Sequence, residues 1–402
     1  MKTKQILPLM TVLVLIVTLF GTIPAAAAPK NTSPQAVQGP KPKFSDNVAF
    51  DVSPTLRELA ARRITPPLPE EDQGEIREEH GPEATGSGYF QDTAVQNSLP
   101  SPTIPSTASN FEGLSNQDNF NIFGGRVNPP DPVGDVGPNH YVEMVNLTFA
   151  VFDKSGNLLL GPVDTGTLWD GFVIPDCTDP SGDPIVLYDQ FADRWLLSQF
   201  TTRGLDDPSL PFYDCVAISQ TGDPTGAYYR YAFITQADPG SPPGGTFFPD
   251  YPKYSVWKDS YVMTTRDFGL VTGYGISVYA LEKNKMVNGQ AKARAVQFFL
   301  DSNVVPLNLI GDGLLPPDVD GKTKPKNDAP APIIGTQDDG SGYGGTIDAL
   351  NIWELNVLWN SKATASLIFK AQLPVASFDS IFPCAPTSRD CLPQPGISNP
   401  AQ

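Results

Sequence analysis

The chain has 402 residues, of which 44 are acidic and 27 basic, and a formal net charge of −17 at pH 7. This excess of negative charge disfavours a polyanionic partner, so we expect neither a nucleic acid nor an anionic membrane surface to bind. The only histidines are His80 and His140. Because His80 lies in a polar N-terminal stretch and His140 stands alone, the sequence predicts neither a Ser-His-Asp relay nor a histidine-ligated zinc site.

The N-terminus has the pattern of a secretory signal peptide. Lys2 and Lys4 precede an apolar run from Met10 to Phe20, and small residues suited to cleavage follow near Ala27. The run is too short to span a membrane, and no later segment approaches the required length. We therefore predict a signal peptide over residues 1–27, a secreted or cell-surface protein and no membrane span.

Residues 28–109 are rich in Pro, Ser and charged side chains, with little apolar surface to offset the entropy lost on ordering. They are predicted to form a disordered leader. The stretch SPTLRELAARR predicts one short helix, capped by Ser53, with Leu56, Leu59 and Ala60 on one face. We expect this helix to fray rather than to dock.

From residue 110 to 402 the sequence consists of short β-branched and aromatic runs separated by Gly, Pro, Asn and Asp, which predicts an all-β domain. Four units can be drawn, at residues 131–163, 183–235, 250–299 and 331–373. Each supplies about four strands, the content of a propeller blade. The predicted fold is thus a β-propeller or partial β-propeller of about four blades.

The first three units share a local pattern. Each has an early Asp, and a polar residue stands two places before an aromatic residue that opens an apolar run. The three pairs are Asn139/Tyr141, Asp193/Trp195 and Asp259/Tyr261. We expect the aromatic side chains to pack between adjacent sheets.

Export permits disulfides, and the chain has four cysteines, for which three pairings exist. Short spacing favours Cys384–Cys391, which leaves Cys177 for Cys215. The spacings match no zinc motif, so the cysteines are predicted to be structural rather than metal ligands.

Several longer stretches resemble a largely uncharacterised family of secreted bacterial β-propeller-like proteins. The resemblance covers residues 115–395 and is carried by PPDPVGDVGPNHYVEMVN, GDPIVLYDQFADRWLLSQF, CVAISQTGDPTGAYYRYAF, DYPKYSVW and VPLNLIGDGLLPPDVDG. It implies a propeller-like fold and no particular catalytic residue. In the family pattern, further strand-rich sequence follows CLPQPG, whereas this chain ends at Gln402. The resemblance therefore implies a truncated propeller, with an exposed sheet edge after residue 373 and a partner chain as one way to complete it.

The long connections between the units, residues 163–182, 236–250 and 300–332, are expected on one face of the propeller. They are rich in aspartate: Asp164, Asp170, Asp176, Asp179, Asp183, Asp238, Asp250, Asp301, Asp312, Asp318, Asp320 and Asp328. Carboxylates gathered on one rim suit Ca²⁺, and the DVDG sequence at 318–321 makes Asp318, Asp320 and Asp328 the candidate ligands. The alternative is that these aspartates serve only to form turns.

These features favour a non-catalytic binding or scaffold module that engages a carbohydrate or a protein through its acidic loop face, with Ca²⁺ as a stabiliser. One alternative is a carbohydrate-active enzyme, either a glycoside hydrolase or a polysaccharide lyase. That alternative requires two acids, or a Tyr–Arg pair, to converge where the environment separates their pKa values. A further alternative is a truncated product without activity.

Overall fold

The computed structural model of the protein describes residues 37–65, 105–127, 129–207, 209–235, 247–270, 273–319, 321–339 and 342–378. The predicted signal peptide, Asp238, Asp320 and the pair Cys384 and Cys391 lie outside these ranges. Within them, no helix is long and apolar enough to cross a membrane.

The described residues are mostly β-strand. The strands are β1 (Val37–Gln38), β2 (Lys43–Asp46), β3 (Ala49–Val52), β4 (Val133–Val136), β5 (His140–Val145), β6 (Thr148–Asp153), β7 (Leu158–Asp164), β8 (Ile185–Asp189), β9 (Arg194–Phe200), β10 (Tyr213–Ser219), β11 (Tyr228–Ile234), β12 (Phe247–Val256), β13 (Ser260–Gly269), β14 (Tyr274–Glu282), β15 (Arg294–Asp301), β16 (Leu314–Leu315), β17 (Ala331–Gln337), β18 (Ala349–Leu358) and β19 (Thr364–Pro374). The helices are α1 (Leu56–Arg62), α2 (Asn116–Phe123), α3 (Arg203–Asp206), α4 (Lys283–Val287) and α5 (Leu307–Ile310). Two 3₁₀ turns, Thr165–Trp169 and Pro175–Thr178, follow β7.

Four antiparallel sheets follow one another along the chain, and none of them closes on itself. Sheet I contains β4 to β7, sheet II β8 to β11, sheet III β12 to β15 and sheet IV β16 to β19, each group in sequential order. The repeated unit predicted from the sequence is therefore present. The fourth unit begins at Leu314, earlier than the predicted residue 331, because the two-residue strand β16 pairs with β17 across a long loop.

The sheets pack face to face in chain order. Three clusters of buried apolar side chains lie between sheets I and II, between II and III, and between III and IV. Trp195 and Tyr261, both fully buried, lie in the first and second of these clusters, which confirms the predicted packing of the two aromatic residues. Tyr141 differs, since its ring contacts Phe111 and Phe152 at centroid distances of 5.9 and 6.1 Å.

Glycines determine the conformation or the packing of two hairpin turns in sheet I. Gly156, with φ +85°, supplies the left-handed residue of the turn between β6 and β7. Gly137, in the turn between β4 and β5, lies so close to the Trp195 ring that a Cβ there would come within 2.7 Å of it. A side chain at that position would push sheet I away from sheet II.

Residues 37–63, which fall within the predicted disordered leader over residues 28–109, form strands and a helix. Strand β1 pairs with β19 of sheet IV, β2 with β15 of sheet III, and β3 with β11 of sheet II. Residues 37–63, here called the strap, thus run along the outer edges of three sheets in reverse order. Main-chain hydrogen bonds supply this pairing, so a segment poor in apolar residues can still be ordered by the edges that it meets.

Helix α1 docks rather than frays. Thr55, not Ser53, is the N-cap, and it forms a reciprocal capping box with Glu58. Leu56 and Leu59 are fully buried in the cluster between sheets I and II, as their shared face predicts. Ser53 instead accepts a hydrogen bond from the backbone of Tyr228 at 2.9 Å.

Cys177 and Cys215 form a disulfide, which confirms that pairing. The bond joins the second 3₁₀ turn, which follows sheet I, to the centre of sheet II, and both residues are fully buried. It therefore cross-links the same two sheets that α1 covers.

Candidate functional site

The early aspartate of each unit lies where the first strand of its sheet begins. Asp131, Asp183 and Asp312 each stand two residues before β4, β8 and β16, and Asp250 lies inside β12. Strand β4 contacts β8, and β8 contacts β12. Asp131, Asp183 and Asp250 are therefore brought to one place by three successive sheets.

Asp183 is the centre of this group, with 9% of its surface exposed. Its carboxyl group lies within interaction range of those of Asp131 and Asp250, which shift its pKa. The ammonium group of Lys253 lies within electrostatic reach of all three. We call Asp131, Asp183, Asp250 and Lys253 the first-strand cluster.

Burial decides the protonation of this cluster. It raises the pKa of Asp183 well above the usual range, and repulsion from Asp250 and Asp131 acts in the same direction. Burial likewise raises the pKa of Asp250 to about 6, while the backbone N–H of Tyr251 opposes the shift. The pKa of Lys253 is lowered by burial. Burial and the repulsion between the acids therefore favour retention of a proton within the cluster.

Backbone strain is concentrated at the same place. Asp131, Asp183 and Tyr251 have φ values of +35°, +42° and +52°. Residues other than glycine rarely adopt this region, and such strain collects at functional sites. The surrounding sheets hold these residues in conformations that an isolated peptide would leave.

Tyr251 forms the exposed rim of the cluster, with 41% of its surface accessible. The Lys253 ammonium lies 3.3 Å from the centre of its ring, and the Arg266 guanidinium lies 5.8 Å from it. Arg266 also donates to Asp312, which accepts a hydrogen bond from the hydroxyl of Tyr343. The acids of the first-strand cluster thus lie beside the pair formed by Tyr251 and Arg266. The enzyme alternative requires either two acids or such a pair at one place.

Asn146, between β5 and β6, holds Asp131 of the cluster in place. No sequence feature indicated this contact. Asn146 is fully buried, and its Nδ2 donates to the Oδ2 of Asp131 at 2.9 Å and to the carbonyl of Pro129 at 3.2 Å. These bonds fix the carboxylate of Asp131 on the side of sheet I.

The predicted calcium ligands lie elsewhere. Asp318 and Asp328 are exposed, and Asp320 is outside the described residues. The ammonium of Lys258 donates to the carbonyls of residues 326, 327 and 329 at 3.2, 2.6 and 2.7 Å. A lysine thus already occupies the carbonyl oxygens beside Asp328, and the assignment of calcium to Asp318, Asp320 and Asp328 stays a prediction.

A different acidic group could hold a metal ion. Asp338 and Asp339 follow β17, Asp348 precedes β18, and their carboxylate oxygens lie within 4.8 Å of one another. Asp348 also accepts hydrogen bonds from the backbones of Asp339 and Phe378, at 3.1 and 3.2 Å. The loop sequence QDDGSGYGGTID contains this signal, because its acids flank a glycine-rich stretch.

Comparisons with known proteins do not indicate a function. No family model matches the chain, and neither a curated protein nor a solved structure matches it.

Proposed function

We propose that the chain is a secreted, non-catalytic binding module that holds a neutral carbohydrate at the first-strand cluster. The observation that carries this proposal is the convergence of Asp131, Asp183 and Asp250 from three successive sheets beside Lys253. Structural stability alone is a poor reason for burying several acids together, since each loses hydration.

The chemistry of the cluster suits a polyol. Sugar hydroxyls both donate and accept hydrogen bonds, and the cluster offers carboxylate acceptors, a retained proton and an ammonium donor. A strongly anionic ligand would meet the repulsion of the acids and of a chain whose net charge is −17. The partly exposed Tyr251 marks the side from which a ligand would enter.

A propeller-like arrangement of four blades supports the placement of this site. The four sequential meanders, the contacts between the first strands of sheets I, II and III, and the apolar clusters between neighbouring sheets all favour it. So does the resemblance to secreted propeller-like proteins. In such an arrangement the first strands line the axis, where binding sites of propellers lie.

The proposal also includes secretion of the protein and a bound Ca²⁺ ion that stabilises it. The disulfide between Cys177 and Cys215 suits an oxidising compartment. We assign the stabilising Ca²⁺ to Asp338, Asp339 and Asp348, since the oxygens of three carboxylates on one short loop match the preference of this ion.

A glycoside hydrolase is the second candidate, and one observation favours it. Asp183 and Asp250 keep raised pKa values beside another carboxyl group, Asp131, so a general acid and a base could act on the same bond. A polysaccharide lyase fits less well, because its uronate substrate would be repelled by the three acids.

The test is calorimetric titration of the full secreted chain with neutral oligosaccharides, together with assays on aryl glycosides. For a binding module, we expect saturable binding of the oligosaccharide and no turnover of the glycosides. The affinity should fall at least tenfold in each of the variants Asp183→Asn and Asp250→Asn. The matched control is Asp328→Asn, an exposed acid on another loop, which should bind like the wild type. Turnover abolished by Asp183→Asn would establish the hydrolase, and the absence of any binding would refute both candidates.

A further inference from the structure

A second cavity lies between sheets II and III, away from the first-strand cluster. It has a volume of about 200 Å³ and is lined by residues of β10, β11, β13, β14 and β15 together with the strap. The strap crosses from one sheet to the other at this point, with the backbone of Asn47 bonded to Ala293 and that of Val48 to Ala232, at 3.0 and 2.9 Å. The strap thus lies along the outer side of the cavity, where the exposed residues Lys43 and Asp46 line its mouth.

Two buried polar groups line this cavity without a complete set of partners. Asp214 and Thr235 are each 2% exposed. Among the described residues, neither the Oδ1 of Asp214 nor the Oγ1 of Thr235 has a hydrogen-bond partner. Buried polar atoms are normally paired, so two such atoms on one cavity indicate a missing group that contacts both.

The orientation of Asp214 is fixed by the neighbouring sheet. The hydroxyl of Tyr254 in β12 donates to its Oδ2, which leaves Oδ1 as the free acceptor. The described titratable groups that line the cavity with Asp214 are Lys43, Asp46 and Tyr279, and Tyr254 contacts Asp214 from β12. Asp267 of β13 acts on Tyr279 from the same side of sheet III. Lys43 and Asp46 are exposed, carry opposite charges and offset each other at the mouth. In the interior, the described lining residues include an acid and no base.

The walls of the cavity are apolar and narrow. Phe233, Met263, Leu281 and Ala295 are buried residues that line it between the two sheets. The volume leaves room for several water-sized groups and is below the range of about 300 to 1,000 Å³ typical of drug-sized ligands. A ligand would therefore be small, with a short aliphatic part against these walls and a polar end at Asp214.

We propose that this cavity binds a small primary amine, whose ammonium group pairs with the Oδ1 of Asp214 and donates to the hydroxyl of Thr235. An ammonium supplies positive charge and hydrogen-bond donors in one group, and these are what a buried carboxylate and an adjacent hydroxyl oxygen lack. Burial raises the pKa of Asp214, which favours the neutral form of its carboxyl group when no cation is bound. Pairing with the ammonium favours the carboxylate, so amine binding is expected to release protons to solvent.

The test is calorimetric titration of the full secreted chain with n-butylamine, protonated at neutral pH, and with n-butanol as the uncharged analogue. We expect saturable binding of the amine, at least tenfold tighter than that of the alcohol. Titrations in buffers of different ionisation enthalpy should show release of up to one proton for each amine bound. Equal affinity for amine and alcohol, or no saturable binding, would overturn the proposal without any variant being needed.

Two variants locate the contact. Asp214→Asn should weaken amine binding at least tenfold and abolish proton release, whereas Asp328→Asn, which removes an exposed acid outside the cavity, should stay within twofold of the wild type. Unchanged binding in a folded Asp214→Asn variant would place the amine elsewhere. Asp183→Asn should bind the amine normally, so failure at the first-strand cluster and failure at this cavity can be told apart.

Discussion

Asp51 and Arg230 form a two-pronged ion pair that joins the strap to sheet II. Nε and Nη2 of the arginine donate to the two carboxylate oxygens at 2.7 and 2.6 Å. The Arg230 side chain is 2% exposed, and its Nη1 donates to the carbonyls of Leu168 and Asp170 at 3.0 and 3.1 Å. One guanidinium thus connects the strap, sheet II and the turn that follows sheet I.

Replacement of Asp51 by Ala is expected to lower the free energy of unfolding by about 3 kcal/mol, because it leaves a buried guanidinium without its carboxylate. Urea denaturation followed by circular dichroism would measure the change. The control is Arg57→Ala, which removes a 3.4 Å pair between exposed side chains of Arg57 and Asp223 and should lower stability by less than about 1 kcal/mol. Similar effects of the two substitutions would show that Asp51 does not stabilise the buried guanidinium of Arg230.

Because α1 is docked, a single substitution in this short helix is expected to lower the free energy of unfolding strongly. Leu59→Ala should destabilise the protein by about 2 to 5 kcal/mol, because it opens a cavity in the cluster shared by sheets I and II. Ile64→Ala, two residues after the helix, removes a side chain that is 88% exposed and should change stability by less than about 0.5 kcal/mol. If Leu59→Ala behaved like Ile64→Ala, the helix would not be docked in solution.

The disulfide between Cys177 and Cys215 closes a loop with a sequence separation of 38. Its loss in the double alanine variant should lower the free energy of unfolding by about 4 kcal/mol, since a loop of this length restricts the unfolded chain. Thermal melts of the oxidised protein and the variant would show the difference. A double variant of Cys384 and Cys391 separates this effect from that of the remaining cysteines, and peptide mapping under non-reducing conditions should recover the 177–215 link.

The buried carboxyl group of Asp267 is expected to make the protein less stable as the pH rises from 3.8 to about 8. It is fully buried in β13, accepts hydrogen bonds from Thr265 and Ser277, and has a pKa raised by burial to about 8. The folded protein keeps a proton that the unfolded chain, at the ordinary value of 3.8, has released. This contribution to stability is therefore full below the ordinary pKa and is lost as the pH rises through about 8.

The measurement is chemical denaturation of the wild type and Asp267→Asn at several values between about pH 5 and pH 8. The free energy of unfolding of the wild type should fall across this interval, and that of Asp267→Asn should fall less steeply. Asp328→Asn, an exposed acid, serves as the control and should follow the wild type. Parallel curves for the wild type and Asp267→Asn would show that Asp267 does not keep its proton.

The sequence by itself determined the local units of this protein. Turn residues such as Gly156, and the placement of Trp195 and Tyr261 at the start of second strands, act over a few residues, so the meanders and two buried aromatics could be predicted. The pairing of Cys177 with Cys215 followed from the cysteines themselves. Each of these signals depends on neighbours in the chain or on a small set of alternatives.

Only the tertiary structure decided which distant residues meet. The strap is ordered by main-chain hydrogen bonds to the edges of β11, β15 and β19, and such bonds leave little trace in side-chain pattern. Asp131, Asp183 and Asp250 were visible as a repeated early aspartate, but a repeat gives their position in each unit and not the distance between units. That distance depends on how the sheets stack, which is set by apolar contacts between residues far apart in the chain.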